Sequence, residues 1–174
     1  MKTIDIRLIK NHIKARYLCK IFLIMAPLFI VILIWCCITL YRTPVNLVTR
    51  VRDLTDLRNA LEAYNRDHGE YPDTHDEWIG RYNTWGKAAE DWIPNLAPRY
   101  IKALPVDPRY TTNGGYQYLY RSDGRDFKLL TFFPEGDCPT ITKERPELLD
   151  PIRGGKAAYT CHAYGFWSPG AAHW

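Results

Sequence analysis

The run "IFLIMAPLFIVILIWCCITL", residues 21–40, constrains this chain more than any other feature, because it contains no charged residue. A helix of that length spans about 30 Å, which matches the thickness of a bilayer's hydrocarbon core. A cleaved signal peptide is the alternative, but its apolar part is usually shorter and is followed by small residues at the cut. Residues 39–42 offer no such site. We therefore predict a transmembrane helix over residues 21–41.

Basic residues are concentrated before this run, where residues 1–20 hold six Lys or Arg and one Asp. Cytoplasmic flanks carry the excess of basic residues, so residues 1–20 are predicted to be a basic cytoplasmic segment of a single-pass inner-membrane protein. Residues 42–174 then form an extracytoplasmic domain. The N-terminal segment also has four apolar residues at helical spacing: Ile6, Ile9, Ile13 and Tyr17. That spacing fits either an amphipathic helix on the inner surface or an irregular tail, and both interpretations stay open.

The charge of the residues after Arg42 limits the kind of partner that this chain can bind. The residues after Arg42 carry more acidic than basic side chains, whereas a nucleic-acid-binding domain needs a basic face. Nucleic acid is therefore excluded as a partner, and no small-molecule substrate is predicted.

Two cysteines, Cys138 and Cys161, lie in the predicted outer domain. A lone pair in an oxidising compartment forms a disulfide more readily than it binds metal. The bond would close a loop of about two dozen residues and contribute about 3 kcal/mol in the chain-entropy model. A metal site that adds His162 is the weaker alternative, because adjacent Cys and His rarely bind one ion together.

Apolar residues recur at intervals of three and four along residues 46–68, and Gly69 follows as a stop signal. The stripe consists of Leu47, Val51, Leu54, Leu57, Leu61 and Tyr64. We predict an amphipathic helix of about 22 residues whose stripe packs against a sheet or against other subunits.

Residues 69–108 predict short helices or turns. Trp78, Trp85 and Trp92 are spaced by seven, which favours one face that either covers the core or binds a partner. Asp107 stands between two prolines, a position typical of a turn residue.

A small antiparallel sheet is predicted over residues 116–167. Tyr116 to Tyr120 alternates as a strand, Ser122-Asp123-Gly124-Arg125 is a hairpin turn, and Asp126 to Phe133 returns. A third strand is predicted over 158–164, after a polar loop that contains four prolines. The fold class is therefore α+β, with a long membrane-spanning helix that continues into an amphipathic helix packed on the sheet.

Three stretches in this order resemble the type IV pilin-like fold, and most of all the major pseudopilins of type II secretion systems. They are "LRNALEAYNRDHGEYP" (57–72), "YIKALPVDP" (100–108) and "YQYLYRSDGRDFKLL" (116–130). The resemblance covers about residues 21–165. It implies a non-catalytic structural or accessory subunit of a secretion or pilus-type assembly, with other pilin-like subunits and the membrane as partners. Many pilins also carry a C-terminal disulfide.

The chain departs from that family at two places. Lys20-Ile21-Phe22 stands where a prepilin has Gly before an aromatic residue, and no acidic residue lies between Ile21 and Tyr41. Major pseudopilins hold calcium after the hairpin, and the resemblance offers Glu135 and Asp137 as weak candidate ligands here.

Two other classes of function compete with the structural subunit. An anchored binding module would use exposed aromatic residues to bind a polysaccharide or a protein: Trp78, Trp85, Trp92, Trp167 and Trp174. An enzyme is not predicted, because the chain lacks HExxH, GxSxG and Gly-rich phosphate loops. The dense polar group Asp73, His75, Asp76 and Glu77 is explained at least as well by the polar start of a helix.

Overall fold

The computed structural model describes residues 6–110, 115–132, 134, 136–155 and 161–174. Within the first helix, it describes the side chains of residues 25–27, 29–38 and 46–68. The chain divides into two compact units, Met1–Arg42 and Thr43–Trp174. We call the second one the C-terminal unit.

The predicted membrane-spanning helix is wrong. The first helix, α1, runs Ile6–His68, but within its described residues no stretch is both long and apolar enough to cross a membrane. The observed architecture is a mixed α/β fold in which one helix packs on a five-stranded sheet.

Within the C-terminal unit, α1 buries the stripe that its spacing suggested. Leu54, Leu57, Leu61 and Tyr64 lie in the core, and Leu47 and Val51 pack half-buried against it. The helix ends at His68, and the Gly69 that follows donates its N–H to the carbonyl of Asn65 at 2.8 Å and has a φ of +79°. Glycine tolerates this left-handed conformation, so it is the natural stop.

The sheet has the strand order β2-β1-β3-β4-β5. The strands are β1 (Ile79–Gly80), β2 (Lys87–Ala88), β3 (Gln117–Ser122), β4 (Phe127–Phe132) and β5 (Ala163–Trp167). All neighbours are antiparallel except β1 and β2. Asp123 closes the β3–β4 turn, because its carboxylate accepts hydrogen bonds from the N–H groups of Arg125 (2.9 Å) and Asp126 (2.7 Å).

The alternation of side chains gives the sheet two buried faces. Tyr118, Tyr120, Leu129 and Tyr164 belong to the core that includes α1. The opposite face is covered as well, since Lys128 there is fully buried and donates a hydrogen bond to the carbonyl of Ala172 at 2.9 Å. The C-terminal residues therefore form a cover on the outer face of the sheet.

Two local predictions need correction. The third strand is Ala163–Trp167 rather than 158–164, of which residues 158–160 lie outside the described residues. The segment predicted as an exposed polar loop contains a helix, α2 (Cys138–Glu144), and a 3-10 turn, Pro146–Leu148. Proline is tolerated in the first turn of a helix, where Pro139 stands, and Ile141 and Leu148 supply the buried contacts. Two apolar residues seven apart were too sparse a pattern to predict this element.

Candidate functional site

A buried charge cluster joins α1 to two distant loops. The Arg50 guanidinium donates from Nε and Nη2 to the two carboxylate oxygens of Asp107, both at 2.8 Å, and from Nη1 to Oδ2 of Asp137 at 2.7 Å. The side chains of Arg50 and Asp107 are both 0% exposed. Such bidentate, charge-assisted bonds are the geometry that a guanidinium and a carboxylate prefer. We call Arg50, Asp107 and Asp137 the Arg50 cluster.

Asp107 is positioned by its turn. Its Oδ1 also accepts a hydrogen bond from the backbone N–H of Arg109 at 2.8 Å, which is an Asx-type turn. Pro108 disfavours helical backbone at Asp107, which helps to hold this residue in position. The sequence analysis assigned Asp107 to a turn but did not identify Arg50 as its ion-pair partner. The position of Arg50 was the available signal for a buried ion pair. Arg50 lies three residues after Leu47 and four before Leu54, on the apolar stripe itself.

Asp137 completes the cluster from the residue before α2. Its Oδ2 also accepts a hydrogen bond from the Tyr164 hydroxyl at 2.7 Å, whereas its buried Oδ1 has no hydrogen-bond partner among the described residues. Burial raises the pKa of the Asp137 carboxyl, and the opposing effects of Arg50 and Tyr164 only partly offset it. One guanidinium thus balances two carboxylates in a space closed to water.

The guanidinium itself stays charged. Burial alone would lower the pKa of Arg50, but the hydrogen bonds and charges of Asp107 and Asp137 outweigh it and raise the pKa. Asp53 lies on the same helix, and its carboxylate accepts a hydrogen bond from Tyr118 at 2.9 Å. Because the cluster is enclosed, a substrate has no path to it, and its chemistry is that of a structural anchor.

The Asp137→Asn variant tests the charge imbalance through pH. The folded-state pKa of Asp137 is raised, so its stabilising contribution is fully present below its ordinary pKa and is lost as pH rises through the raised value. The variant mimics the protonated carboxyl. We therefore expect its unfolding free energy to improve relative to the natural chain as pH rises above about 4. Urea unfolding at several pH values measures the difference.

Glu147→Gln is the control, because the contribution of Glu147 to stability should change with pH in the opposite direction. A hydrogen bond from Arg145 lowers the pKa of the exposed Glu147 carboxyl, so its contribution is lost as pH falls rather than as it rises. A constant difference between Asp137→Asn and the natural chain from pH 3 to 7 would contradict the imbalance.

The three tryptophans spaced by seven do not share a face. Trp92 is buried in the core, Trp78 is half-buried and Trp85 is 46% exposed. Trp78 stacks with Arg153, with the guanidinium carbon 5.2 Å from the ring centre. Strands and turns replace the helix that would have aligned them. A platform built from these three rings is therefore not formed.

The other predicted binding tryptophans take part in the cover on the outer face. Trp174 stacks on Arg121 at 4.9 Å, and Trp167 lies 5.4 Å from the Lys128 ammonium. Lys128 donates to Asp150 at 2.8 Å, and burial lowers the pKa of this lysine against the opposing effect of Asp150. These rings serve packing, and their polar neighbours are already paired.

The disulfide prediction is confirmed, because Cys138 and Cys161 are bonded. Cys138 follows Asp137 directly, so the bond also restrains one member of the Arg50 cluster. Metal binding has less support than the disulfide. Asp137 is turned into the Arg50 cluster, Glu135 lies outside the described residues, and the described residues contain no group of three or more metal-type ligands. Calcium stays a prediction of the resemblance.

The polar group at the start of the outer loop is divided among separate ion pairs. His75 lies 3.0 Å from Asp73, Asp76 pairs with Arg121 at 2.7 Å, and Glu77 pairs with Lys87. These side chains do not converge on one point.

A comparison with protein-family models, curated proteins and solved structures finds no match to this chain. The resemblance to pilin-like proteins therefore stays a prediction from the sequence.

Proposed function

We propose that this chain is a non-catalytic structural or accessory subunit of pilin-like design, which assembles with other subunits through the N-terminal part of α1. The C-terminal unit is the scaffold that the assembly displays. An envelope location, with this unit on the oxidising side, remains our prediction and fits the disulfide.

One observation carries this proposal: the apolar part of α1 is exposed all round. Every described side chain from Phe29 to Ile38 is exposed, including Phe29 at 63% and Trp35 at 69%. Burial of apolar surface contributes about 25 cal/mol per Å², so a long uncovered apolar helix is unfavourable in water. Exposure on all sides favours several neighbouring helices rather than one partner face.

The buried charged side chains of the C-terminal unit support the same proposal. Its strongest cluster of charges, the Arg50 cluster, is sealed from solvent and ties α1 to two loops. A buried ion network of this kind specifies geometry and offers nothing to a substrate.

The assembly is tested by changing its apolar surface. We expect the Phe29→Gln, Ile32→Gln chain to lose its high-mass complex on native gels of cell extracts, because polar side chains remove the burial that drives helix association. The matched control is Val48→Gln, an apolar residue of the same helix that is 67% exposed in the C-terminal unit. A complex of unchanged size in the double variant would count against assembly through this surface.

A further inference from the structure

A lysine and an aspartate are enclosed together on the outer face of the sheet. Lys128 belongs to β4, and Asp150 lies just beyond the 3-10 turn Pro146–Leu148. The Lys128 Nζ lies 2.8 Å from Oδ1 of Asp150, and both side chains are 0% exposed. Burying this ion pair costs the hydration of both charges, whereas an amide formed from the same two groups would carry no charge.

Hydrogen-bond donors hold both oxygens of the Asp150 carboxyl group. Oδ1 accepts a hydrogen bond from the backbone N–H of Ile152 at 3.0 Å, and Oδ2 accepts one from Nη1 of Arg153 at 2.9 Å. The backbone of Asp150 is fixed as well, because its carbonyl accepts from the N–H of Gly154 at 2.6 Å and a Cβ at Gly154 would collide with it. Donors on both oxygens stabilise the negative charge that forms there when a nucleophile attacks the carboxyl carbon.

The amine of Lys128 is positioned by two backbone oxygens. Its Nζ donates to the carbonyl of Ala172 at 2.9 Å and to the backbone oxygen of Trp174 at 3.3 Å. A neutral amine keeps two N–H groups, so these two acceptors satisfy it and leave its lone pair for the Asp150 carboxyl. Burial lowers the pKa of the Lys128 ammonium more than its pairing with Asp150 raises it, which favours the nucleophilic form.

The surroundings of the pair exclude water. The Trp167 ring centre lies 5.4 Å from the Lys128 Nζ, and residues 168–174 cover the same face of the sheet. Groups that are held in contact in well-oriented intramolecular reactions react as if at concentrations of about 10⁵–10⁸ M. An amine and a carboxyl group that would stay an ion pair in water are therefore placed to condense here.

We propose that Lys128 and Asp150 form an intramolecular isopeptide bond, which links β4 to the segment that pairs with the outer edge of β5 through Leu149 and Tyr164. A proton first passes from the ammonium to the carboxylate within the pair. Nζ then forms a bond to Cγ of Asp150, one Cγ–O bond breaks, and the departing oxygen leaves as water with a proton that the nitrogen gives up. The reaction occurs once in each chain and does not depend on the assembly proposed above.

Mass spectrometry of the full-length chain tests the bond. After denaturation and reduction of the disulfide, we expect most molecules to be lighter by one water molecule than their sequence requires, counted from the N-terminus that the digest identifies. Proteolysis should then yield a branched peptide that joins Lys128 to Asp150. Lys128→Arg keeps the positive charge but offers no primary amine, so this chain should have the full mass.

Lys87 and Glu77 supply the matched control, because the side chains of this ion pair are 68% and 45% exposed. Water solvates both groups, so no branched peptide should join them, and Lys87→Arg should keep the deficit of one water molecule. The proposal is overturned if the denatured natural chain has the full mass, if Lys128→Arg keeps the deficit, or if the deficit lies in an unbranched peptide, such as an imide at Asp123–Gly124. The mass of the natural chain decides the first of these outcomes without any variant that must fold.

Discussion

Replacing Arg50 by methionine should lower the free energy of unfolding of the C-terminal unit by about 3–5 kcal/mol, because two buried carboxylates then lose their cation. Asp107 loses both of its bonds to the guanidinium, and Asp137 keeps only the Tyr164 hydroxyl on the oxygen that was bonded. Methionine keeps an unbranched apolar side chain in place of the arginine stem, so the guanidinium and its charge are the main loss. Urea unfolding followed by circular dichroism measures it.

Arg52→Met is the matched control for this prediction. Arg52 lies two residues further along the same helix, with a side chain that is 68% exposed and an ion pair to Asp53 at 3.4 Å. Exposed pairs contribute little, so we expect a change of less than about 1 kcal/mol. In the triple variant Arg50→Met, Asp107→Asn, Asp137→Asn, part of the lost stability should return, because no uncompensated charge is left. Equal effects of Arg50→Met and Arg52→Met would contradict this account of the Arg50 cluster.

Replacing Leu57 and Leu61 by aspartate should unfold the C-terminal unit. Both leucines are fully buried where α1 meets the sheet, and an unpaired carboxylate there has no hydrogen-bond partner and no water. Even truncation of one such leucine to alanine costs about 2–5 kcal/mol, which is comparable to the whole stability of many domains. We expect loss of the cooperative thermal transition in circular dichroism.

Val48→Asp is the control for the core, since Val48 is on the same helix but is 67% exposed. Its variant should melt within a few degrees of the natural chain. If the double aspartate variant kept a cooperative transition, α1 would not pack on the sheet as described.

The sequence predicts the elements whose pattern is local. The stripe from Leu47 to Tyr64 repeats at helical spacing, Gly69 marks the end of α1, and the turn around Asp123 and Gly124 has the residues that a hairpin needs. Each of these signals depends on neighbours within a few residues. The disulfide was predictable for another reason, because only two cysteines lie in the C-terminal unit.

Long-range contacts were harder to predict. Arg50 meets Asp107 and Asp137 from sequence separations of 57 and 87 residues, and no local pattern links them. A lone arginine within an apolar stripe is the available clue, because a buried charge requires a partner.

Regular spacing also misled the sequence analysis. The interval of seven that separates Trp78, Trp85 and Trp92 suggests a helical face only if the backbone is helical, and here short strands and turns take the place of a helix. The apolar run after Lys20 suggested a membrane-spanning helix by its composition, which the described residues of α1 do not bear out.

Cross-linking in cells tests the central claim, that other subunits, further copies of this chain among them, cover the apolar part of α1. Cys37 is exposed within this part of the helix. In the full-length chain with Cys19→Ser and Cys36→Ser, mild oxidation should give a disulfide-linked dimer through Cys37. The comparison chain adds Cys37→Ser and carries its thiol at the exposed α2 position, Lys143→Cys. A dimer yield well above that of the comparison chain is the predicted result, and a monomer or an equal yield would contradict assembly through α1.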